Sequence, residues 1–132
     1  KNLSLKPRGD FMNPSQRACI AGIANAIVNQ KQITSVYSYE MATYVSVSGT
    51  VNERNVNIFD YSRSCHISGR SNGQGKYSLF DYGLSKHITL NINNEKFDGF
   101  DYMSNKHFSG TVRRSSVNLY DYETCRYYDF SC

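Results

Sequence analysis

The stretch Val56-Asn57-Ile58-Phe59-Asp60-Tyr61 begins a pattern that returns along the chain. Its last three residues form an aromatic-Asp-Tyr triplet, and one earlier copy of the triplet has Ser in place of Asp. The copies are Tyr37-Ser38-Tyr39, Phe59-Asp60-Tyr61, Phe80-Asp81-Tyr82, Phe100-Asp101-Tyr102 and Tyr120-Asp121-Tyr122. Successive copies lie 22, 21, 20 and 20 residues apart. A frame this regular predicts a repeat architecture of about 20 residues per unit.

The second half of each repeat begins five residues after the last Tyr of the triplet. The residues at this position are Tyr44, His66, His87, His107 and Tyr127. Each repeat therefore holds two short β-forming runs, joined by a four-residue connection on one side and by an Asn, Ser and Gly-rich turn on the other. Because antiparallel neighbours need only short loops, the pattern predicts about ten strands in an antiparallel up-and-down meander of hairpin repeats over 32–132.

Side chains alternate across a strand, which assigns the two faces of the sheet. Ile58 and Asp60 share one face, and Phe59 and Tyr61 share the other. A four-residue loop after the triplet predicts that Tyr61 pairs with His66. One face is thus aliphatic and contains Gly, while the opposite face carries rows of Phe or Tyr, His, and Ser or Thr.

A single helix is predicted over 14–31, ahead of the repeats. Asn13 is a suitable N-cap, and Pro14 favours the first helical position. Apolar residues follow at helical spacing, namely Ile20, Ile23, Ala24 and Ile27. We expect a mainly β domain whose sheet curls around this helix or packs on it, and the sequence leaves open whether the sheet closes into a barrel. The predicted organisation is one domain with an arm (1–13), a helix (14–31) and β-hairpin repeats (32–132).

Composition narrows the class of protein. The 132 residues are 39% hydrophobic and 14% aromatic, which excludes a disordered chain. No apolar run is long enough for a transmembrane helix. The net charge of +4 comes without a run of like charges, which argues against nucleic acid as the partner.

Four cysteines stand at Cys19, Cys65, Cys125 and Cys132, without zinc-ligand spacing. In a polar, Tyr-rich chain they favour an oxidising compartment and one or two disulfides. The expected pairing joins Cys19 to Cys65 or to Cys125.

The row of triplet Asp residues is expected to be structural. Each Asp ends a strand, where its carboxylate can accept loop N–H groups. Equivalent positions in neighbouring repeats are two strands, or ~9.5 Å, apart, so neither the Asp nor the His row is expected to share a metal ion. No nucleophile, phosphate-loop or zinc-protease motif is present, and we predict neither an enzyme nor a cofactor.

The aromatic face is the predicted ligand-binding surface, because contiguous exposed aromatic side chains mark interaction sites. Its candidate residues are Phe59, Tyr61, His66, Phe80, Tyr82, His87, Phe100, Tyr102, His107, Tyr120 and Tyr122. The competing interpretation is a ladder of rings that only stiffens the sheet.

Three functions are compatible with such a surface. The first is a non-enzymatic module that binds a glycan or a protein. The second is a structural or self-assembling protein whose aromatic face is an oligomer interface. The third is a single-stranded nucleic-acid binder that stacks bases on its rings. Arg8-Gly9-Asp10 in the arm matches the integrin-type tripeptide, a short match that carries little weight.

The repeat centred on Leu119-Tyr120-Asp121-Tyr122-Glu123-Thr124 resembles the tyrosine-aspartate hairpin repeats of bacterial surface and secreted proteins. The similarity covers roughly 33–132, although no copy has the Gly-Arg pair that typically follows the Asp in those repeats. The resemblance implies a bacterial protein that is secreted, periplasmic or on the cell surface, and that is not catalytic.

Overall fold

The computed structural model describes residues 12–132, which form one helix and eleven strands. Of the predicted arm, only Met12 and Asn13 fall within this range, and Arg8-Gly9-Asp10 lies outside it. The elements are α1 (Pro14–Asn29), β1 (Val36–Ser38), β2 (Thr43–Val45), β3 (Val47–Val51), β4 (Asn55–Asp60), β5 (Cys65–Ser71), β6 (Lys76–Asp81), β7 (Lys86–Asn93), β8 (Lys96–Asp101), β9 (Lys106–Arg113), β10 (Ser116–Asp121) and β11 (Arg126–Ser131).

The ends of α1 follow from local chemistry. The Asn13 side chain accepts a hydrogen bond from Ser15 N at 2.8 Å, and Pro14 is the first helical residue. At the other end, Gln30 adopts a left-handed conformation (φ 53°) and its N–H bonds the carbonyls of Ala26 and Ile27. The helix therefore ends two residues before the predicted boundary.

The sheet curls around α1, as predicted. Residues 15–26 of the helix are all buried. The curled sheet forms a wall around them, and α1 contacts strands on all sides of this wall, namely β1, β2, β3, β4, β7, β9 and β10. Its isoleucines Ile20 and Ile23 are inaccessible, as are Ile58, Ile88 and Leu119 of the strands that face them. Burial of each such side chain is worth roughly 1.5–3 kcal/mol, so the helix and the inner face of the sheet form one core.

The eleven strands form one antiparallel sheet in the order β2-β1-β11-β10-β9-β8-β7-β6-β5-β4-β3. Its two edge strands, β2 and β3, are separated only by Ser46. The extended run 43–51 therefore pairs with β1 through its first half and with β4 through its second half. This shared run brings the two edges together into a nearly closed barrel, and its division at Ser46 explains why eleven strands form where about ten were expected.

The β1–β11 join and the β3–β4 join are displaced relative to the regular repeats. In a regular join, Tyr82 N donates to the His66 carbonyl, and Tyr102 and Tyr122 repeat this bond. At the joins of β1 and β4, the corresponding Tyr N–H donates to Asp129 and to Ser46, each two residues beyond the expected acceptor. The segment from β1 to β3 is therefore offset by two residues against each of its neighbours, β11 and β4.

The predicted pairing of Tyr61 with His66 is wrong by two residues. His66 pairs with Phe59, and Cys65 pairs with Asp60. The turn begins at Tyr61 because the Asp60 carboxylate accepts from Ser62 N at 2.9 Å, and it closes at Ser64, which has a φ of 54°. The predicted faces are nevertheless correct, since Asp60 is buried and Tyr61 is exposed.

The predicted disulfides are absent, because all four cysteines are free. The Cys65 sulfur lies 3.9 Å from an Asp81 oxygen and packs directly on Gly83, where an added Cβ would lie 2.6 Å away. Cys125 occupies an exposed turn, whereas Cys19 is buried inside the wall. Burial raises the pKa of the Cys19 and Cys65 thiols, which keeps them protonated and unreactive.

Candidate ligand-binding surface

Each repeat assembles three rings on the outside of the wall. In the second repeat, the Phe59 ring centroid lies 4.9 Å from that of Tyr61 and 4.9 Å from that of His66, both in edge-to-face contact. The strand positions cause this arrangement: Tyr61 is two residues beyond Phe59 on the same face, and His66 is its cross-strand partner.

The same triad is built five times around the molecule, and we call the five together the aromatic belt. The triads are Tyr37/Tyr39/Tyr44, Phe59/Tyr61/His66, Phe80/Tyr82/His87, Phe100/Tyr102/His107 and Tyr120/Tyr122/Tyr127. In every triad, both flanking rings lie 4.7–5.0 Å from the central ring. The structure thus places all eleven predicted residues in one belt.

Four belt residues are missing from the predicted set, namely Tyr37, Tyr39, Tyr44 and Tyr127. Each occupies a repeat position whose counterparts are in that set. The repeat frame identifies them. A Tyr at the His position, or in the triplet that lacks Asp, still places an aromatic ring on the outer face of the sheet.

The outer rings of the belt are open to solvent. The central ring of each triad is half-buried, while seven flanking tyrosines are 47–69% exposed, namely Tyr39, Tyr44, Tyr61, Tyr82, Tyr102, Tyr122 and Tyr127. Ring surface is therefore available to a partner, and so are the hydroxyls apart from that of Tyr61, which hydrogen-bonds Ser48 Oγ at 3.0 Å.

A polar strip adjoins the belt on the same outer face. Ser68, Thr89 and Ser109 stand directly opposite central rings of the next repeat. Further along the strands, Asn91 donates to Asp98 at 2.9 Å, and an Asn118–Asp129 pair repeats this contact at 2.8 Å.

Two shallow grooves join the strip to the belt. One, of about 640 Å³, lies between Lys96, Thr111 and Tyr122. The other, of about 570 Å³, lies between Asp98, His107 and Tyr122. Each groove combines ring surface with hydroxyl, amide, carboxylate or ammonium groups.

The triplet carboxylates point the other way, into the barrel. Three of them accept hydrogen bonds from the first turn of α1: Ser15 Oγ donates to Asp60 at 2.6 Å, Gln16 Nε2 to Asp81 at 3.0 Å, and Arg17 Nη1 to Asp121 at 3.0 Å. We call Asp60, Asp81, Asp101 and Asp121 the Asp ring. Each member also accepts turn N–H groups, as predicted. Its additional contact with the helix was not foreseen.

Two arginines form ion pairs with three of the four members of the Asp ring. Arg63 contacts Asp60 at 2.8 Å and Asp81 at 3.0 Å. Arg17 bridges Asp121 and Glu40, the latter at 2.7 Å, and its guanidinium lies 4.0 Å from the centroid of the Tyr128 ring. The first triplet has Ser38 in place of Asp, and Glu40, two residues later, supplies the carboxylate there.

The pKa values of Asp60 and Asp101, two members of the Asp ring, shift in opposite directions. Burial raises the pKa of Asp60, but hydrogen bonds from Ser15, Ser62 and Arg63 outweigh it and hold the pKa below its usual value. Burial also raises the pKa of Asp101, which stays above its usual value because neither Arg17 nor Arg63 pairs with it. The protein therefore favours the charged form of the Asp60 carboxylate and disfavours that of the Asp101 carboxylate.

The wall separates the carboxylates from the imidazoles. The Asp ring is buried inside, and the belt histidines are exposed outside, so the two groups do not form acid–base pairs. Within residues 12–132, no group of three or more His, Cys, Asp or Glu side chains is placed to hold a metal ion.

Comparison with known proteins adds no further evidence about this site. No family model, curated protein or solved structure matches the chain. Among the described residues, no helix is long and apolar enough to cross a membrane. The resemblance to tyrosine-aspartate repeats stays a prediction.

Proposed function

We propose that the protein is a non-enzymatic binding module that holds a glycan on its aromatic belt. The observation that carries the proposal is the set of seven exposed tyrosines on a wall whose opposite face is already filled by α1. These rings take no part in the core, which lies on the other face of the sheet. A contiguous exposed aromatic surface is typical of an interaction site.

The chemistry beside the belt favours a glycan over a protein. Tyrosine offers an apolar face and a hydroxyl tip, and the neighbouring strip offers amides, carboxylates and hydroxyls, which suit a ligand that is polar at its edges and apolar on its faces. A protein interface would need a larger apolar centre than these shallow grooves provide.

The five-fold repetition favours a ligand with repeating units. Five similar triads surround the barrel, and equivalent strand positions in neighbouring repeats are ~9.5 Å apart. Several weak and similar contacts along a polymer would add to a high avidity.

The proposal includes the absence of catalysis and a location outside the cytoplasm. The separation of carboxylates from imidazoles supports the first part. The second part, a secreted, periplasmic or cell-surface protein of bacteria, depends on the resemblance to tyrosine-aspartate repeats, because the free cysteines give it no support.

Glycan-array screening of the labelled chain, followed by calorimetric titration of the best glycan, tests the proposal. Tyr82→Ala and Tyr102→Ala are each expected to weaken binding about tenfold, or about 1.4 kcal/mol. Tyr102→Phe keeps the ring and controls for the hydroxyl, while Asn93→Ala, at the exposed end of β7 away from the belt, should bind as the parent does. Unchanged affinity in both Tyr→Ala variants would rule out the belt as the binding surface.

Self-assembly is the second candidate, since the same exposed rings could pack on another copy. Light scattering distinguishes it: a multimer that Tyr102→Ala dissociates would replace the glycan proposal. Oligonucleotide binding that weakens steeply with salt would instead support the nucleic-acid alternative.

A further inference from the structure

The exposed surface of the protein is more basic than its net charge indicates. Within 12–132, ten Lys and Arg side chains are exposed, against five Asp and Glu side chains. The four carboxylates of the Asp ring are at most 1% exposed, so they cannot pair with cations on the outside. Residues 1–11 hold three cations and one carboxylate, and their sequence therefore adds to this excess.

Four of the exposed cations lie on the same outer face as the aromatic belt. We call them the basic row: Arg70, Lys76, Lys96 and Arg113. Arg70 lies four residues after His66 on β5, and Lys96 lies four residues before Phe100 on β8. Residues an even number apart on a strand share a face, and four residues span about 13 Å. The basic row therefore follows the belt across the polar strip.

The basic row consists of two diagonal pairs on neighbouring strands. Arg70 lies directly opposite Ser78, two residues from Lys76. Lys96 and Arg113 have the same diagonal relation across β8 and β9. Residues at such positions are roughly 7–8 Å apart, within reach of long side chains. Each pair thus presents two positive charges that one acidic group can contact.

No acidic side chain in the described part of the chain forms an ion pair with the basic row. The cations of the ion pairs within 12–132 are Arg17 and Arg63, and both contact the Asp ring. The two carboxylates on the outer face, Asp98 and Asp129, accept hydrogen bonds from asparagine amides instead. The positive charges of the basic row are therefore available to an anion from solution.

Two grooves connect the basic row to rings of the belt. The groove of about 640 Å³ has Lys96, Tyr120 and Tyr122 in its lining. A further groove, of about 550 Å³, has Arg113 and Tyr39 in its lining. A ligand that occupies either groove contacts a ring and a cation at the same time.

We propose that the ligand of the belt is an acidic glycan, whose sugar rings lie on the tyrosines while its carboxylate or sulfate groups bind the basic row. This ligand class rests on the function proposed for the belt and refines it. Charge complementarity favours an anion on a face with exposed cations and few carboxylates. The guanidinium groups of Arg70 and Arg113 can each bind a carboxylate or a sulfate through two hydrogen bonds.

The distribution of charge favours an acidic glycan over a nucleic acid. A single strand has a phosphate at every nucleotide and is bound in a continuous positive groove. The basic row is interrupted, because Asn91 lies between Lys76 and Asp98 on neighbouring strands. Asp98 is itself two residues from Lys96 on the same face. Such a surface suits a polymer whose charges are separated by neutral, hydroxyl-rich units.

Calorimetric titration of the full chain with two matched pairs of polymers tests the proposal. The pairs are dextran with dextran sulfate, and hydroxyethyl cellulose with carboxymethyl cellulose, so that sulfate and carboxylate are tested separately. At about 0.01 M salt, the acidic polymer of each pair is expected to bind about tenfold more tightly than the neutral one. The difference should decrease at about 0.15 M salt, because the Debye length falls from about 30 Å to about 8 Å.

Removal of single charges separates the basic row from general attraction to a basic protein. Lys96→Gln, in the groove beside Tyr120 and Tyr122, should weaken the binding of the acidic polymers about fivefold and leave that of the neutral polymers unchanged. Lys31→Gln removes the same charge just after α1, away from the belt, and should bind all four polymers as the parent does. Both lysines are exposed and neither forms an ion pair with a described residue, so both variants are expected to fold.

Four results would overturn the proposal of an acidic ligand. Equal affinity for the acidic and the neutral polymers, weakened by Tyr102→Ala, would leave the glycan function intact and exclude an acidic ligand. Equal weakening by Lys31→Gln and Lys96→Gln would show attraction without a site. Tighter binding of a single-stranded oligonucleotide than of both acidic polymers at the same salt would favour nucleic acid. Binding of none of the polymers would also contradict it, while the glycan array tests the proposed function separately.

Discussion

Asp60 and Asp101 occupy the same position in the repeat but have opposite shifts in pKa. The folded-state pKa of Asp60 is lowered, so its contribution to stability is present above its unfolded pKa, about 3.9, and is lost as pH falls through the folded value. The folded-state pKa of Asp101 is raised, so its contribution is full below the unfolded pKa and is lost as pH rises through the folded value.

Urea unfolding between about pH 3 and about pH 7 measures this contrast. The stability of the parent relative to Asp60→Asn should increase with pH, whereas its stability relative to Asp101→Asn should decrease. The same pH trend in both comparisons would contradict the assignment of the two environments.

Gly69 lies where the backbone of the neighbouring strand leaves no room for a Cβ. A Cβ at this position would lie 1.9 Å from the Ser78 carbonyl oxygen and 2.8 Å from Leu79 Cα, both of them backbone atoms that cannot move aside. Gly69→Ala is therefore expected to lower the free energy of unfolding by about 3 kcal/mol, the upper end of the usual overpacking range. Gly73→Ala is the matched control.

The control separates steric overlap from backbone strain. Gly73 has a φ of 85° and no atom within 4 Å of the added Cβ, so its substitution costs only the strain of a left-handed residue, about 1 kcal/mol. Urea midpoints of the two variants would be compared. Equal losses would show that close approach at Gly69 does not limit the curl of the sheet.

At the scale of elements, Arg17 fastens the first turn of α1 to the wall. Its guanidinium bonds Asp121, Glu40 and the Met12 carbonyl, and it stacks on Tyr128. Arg17→Met leaves Asp121 buried without its cation and should destabilise the fold by about 3–5 kcal/mol.

A double-mutant cycle with Asp121→Asn measures the coupling between Arg17 and Asp121. The double variant is expected to be more stable than Arg17→Met alone, because the unpaired charge is then removed. Strict additivity of the two single losses in urea unfolding would contradict the role of this ion pair. Glu40→Gln, whose side chain is partly exposed, should cost less than Asp121→Asn.

At the scale of the whole molecule, five repeats share a single helix, which distinguishes this protein from an open repeat array. Units in an open array contact only their neighbours and unfold with limited cooperativity. Here α1 contacts strands all around the wall, so removal of any part exposes the common core. We expect one cooperative unfolding transition.

Two probes on heating test this cooperativity. The chain has no Trp, so its fluorescence comes from tyrosine, largely from the belt, while far-UV circular dichroism reports the sheet. The two melting curves should coincide in the parent and shift together in Arg17→Met. A separate transition for some of the repeats would contradict a shared core.

Much of the candidate surface could be predicted because its rings are placed by local rules. Alternation along a strand puts Phe59 and Tyr61 on one face, and the repeat frame adds His66. The pairing of His66 with Phe59 could not be predicted from spacing alone. The turn begins at Tyr61 because the Asp60 carboxylate accepts a hydrogen bond from Ser62 N, and the spacing does not reveal this contact.

The sequence by itself determined the meander, its two faces and the central helix, because a 20-residue repeat, period-two alternation and helical spacing are properties of neighbouring residues. Only the tertiary structure decided the closure at Ser46, the free cysteines and the anchoring of the helix. These features depend on contacts such as Ser15 with Asp60 and Arg17 with Asp121, whose partners are 45 and 104 residues apart. No local pattern specifies such pairs, because they form only when the curled sheet brings distant strands to one helix.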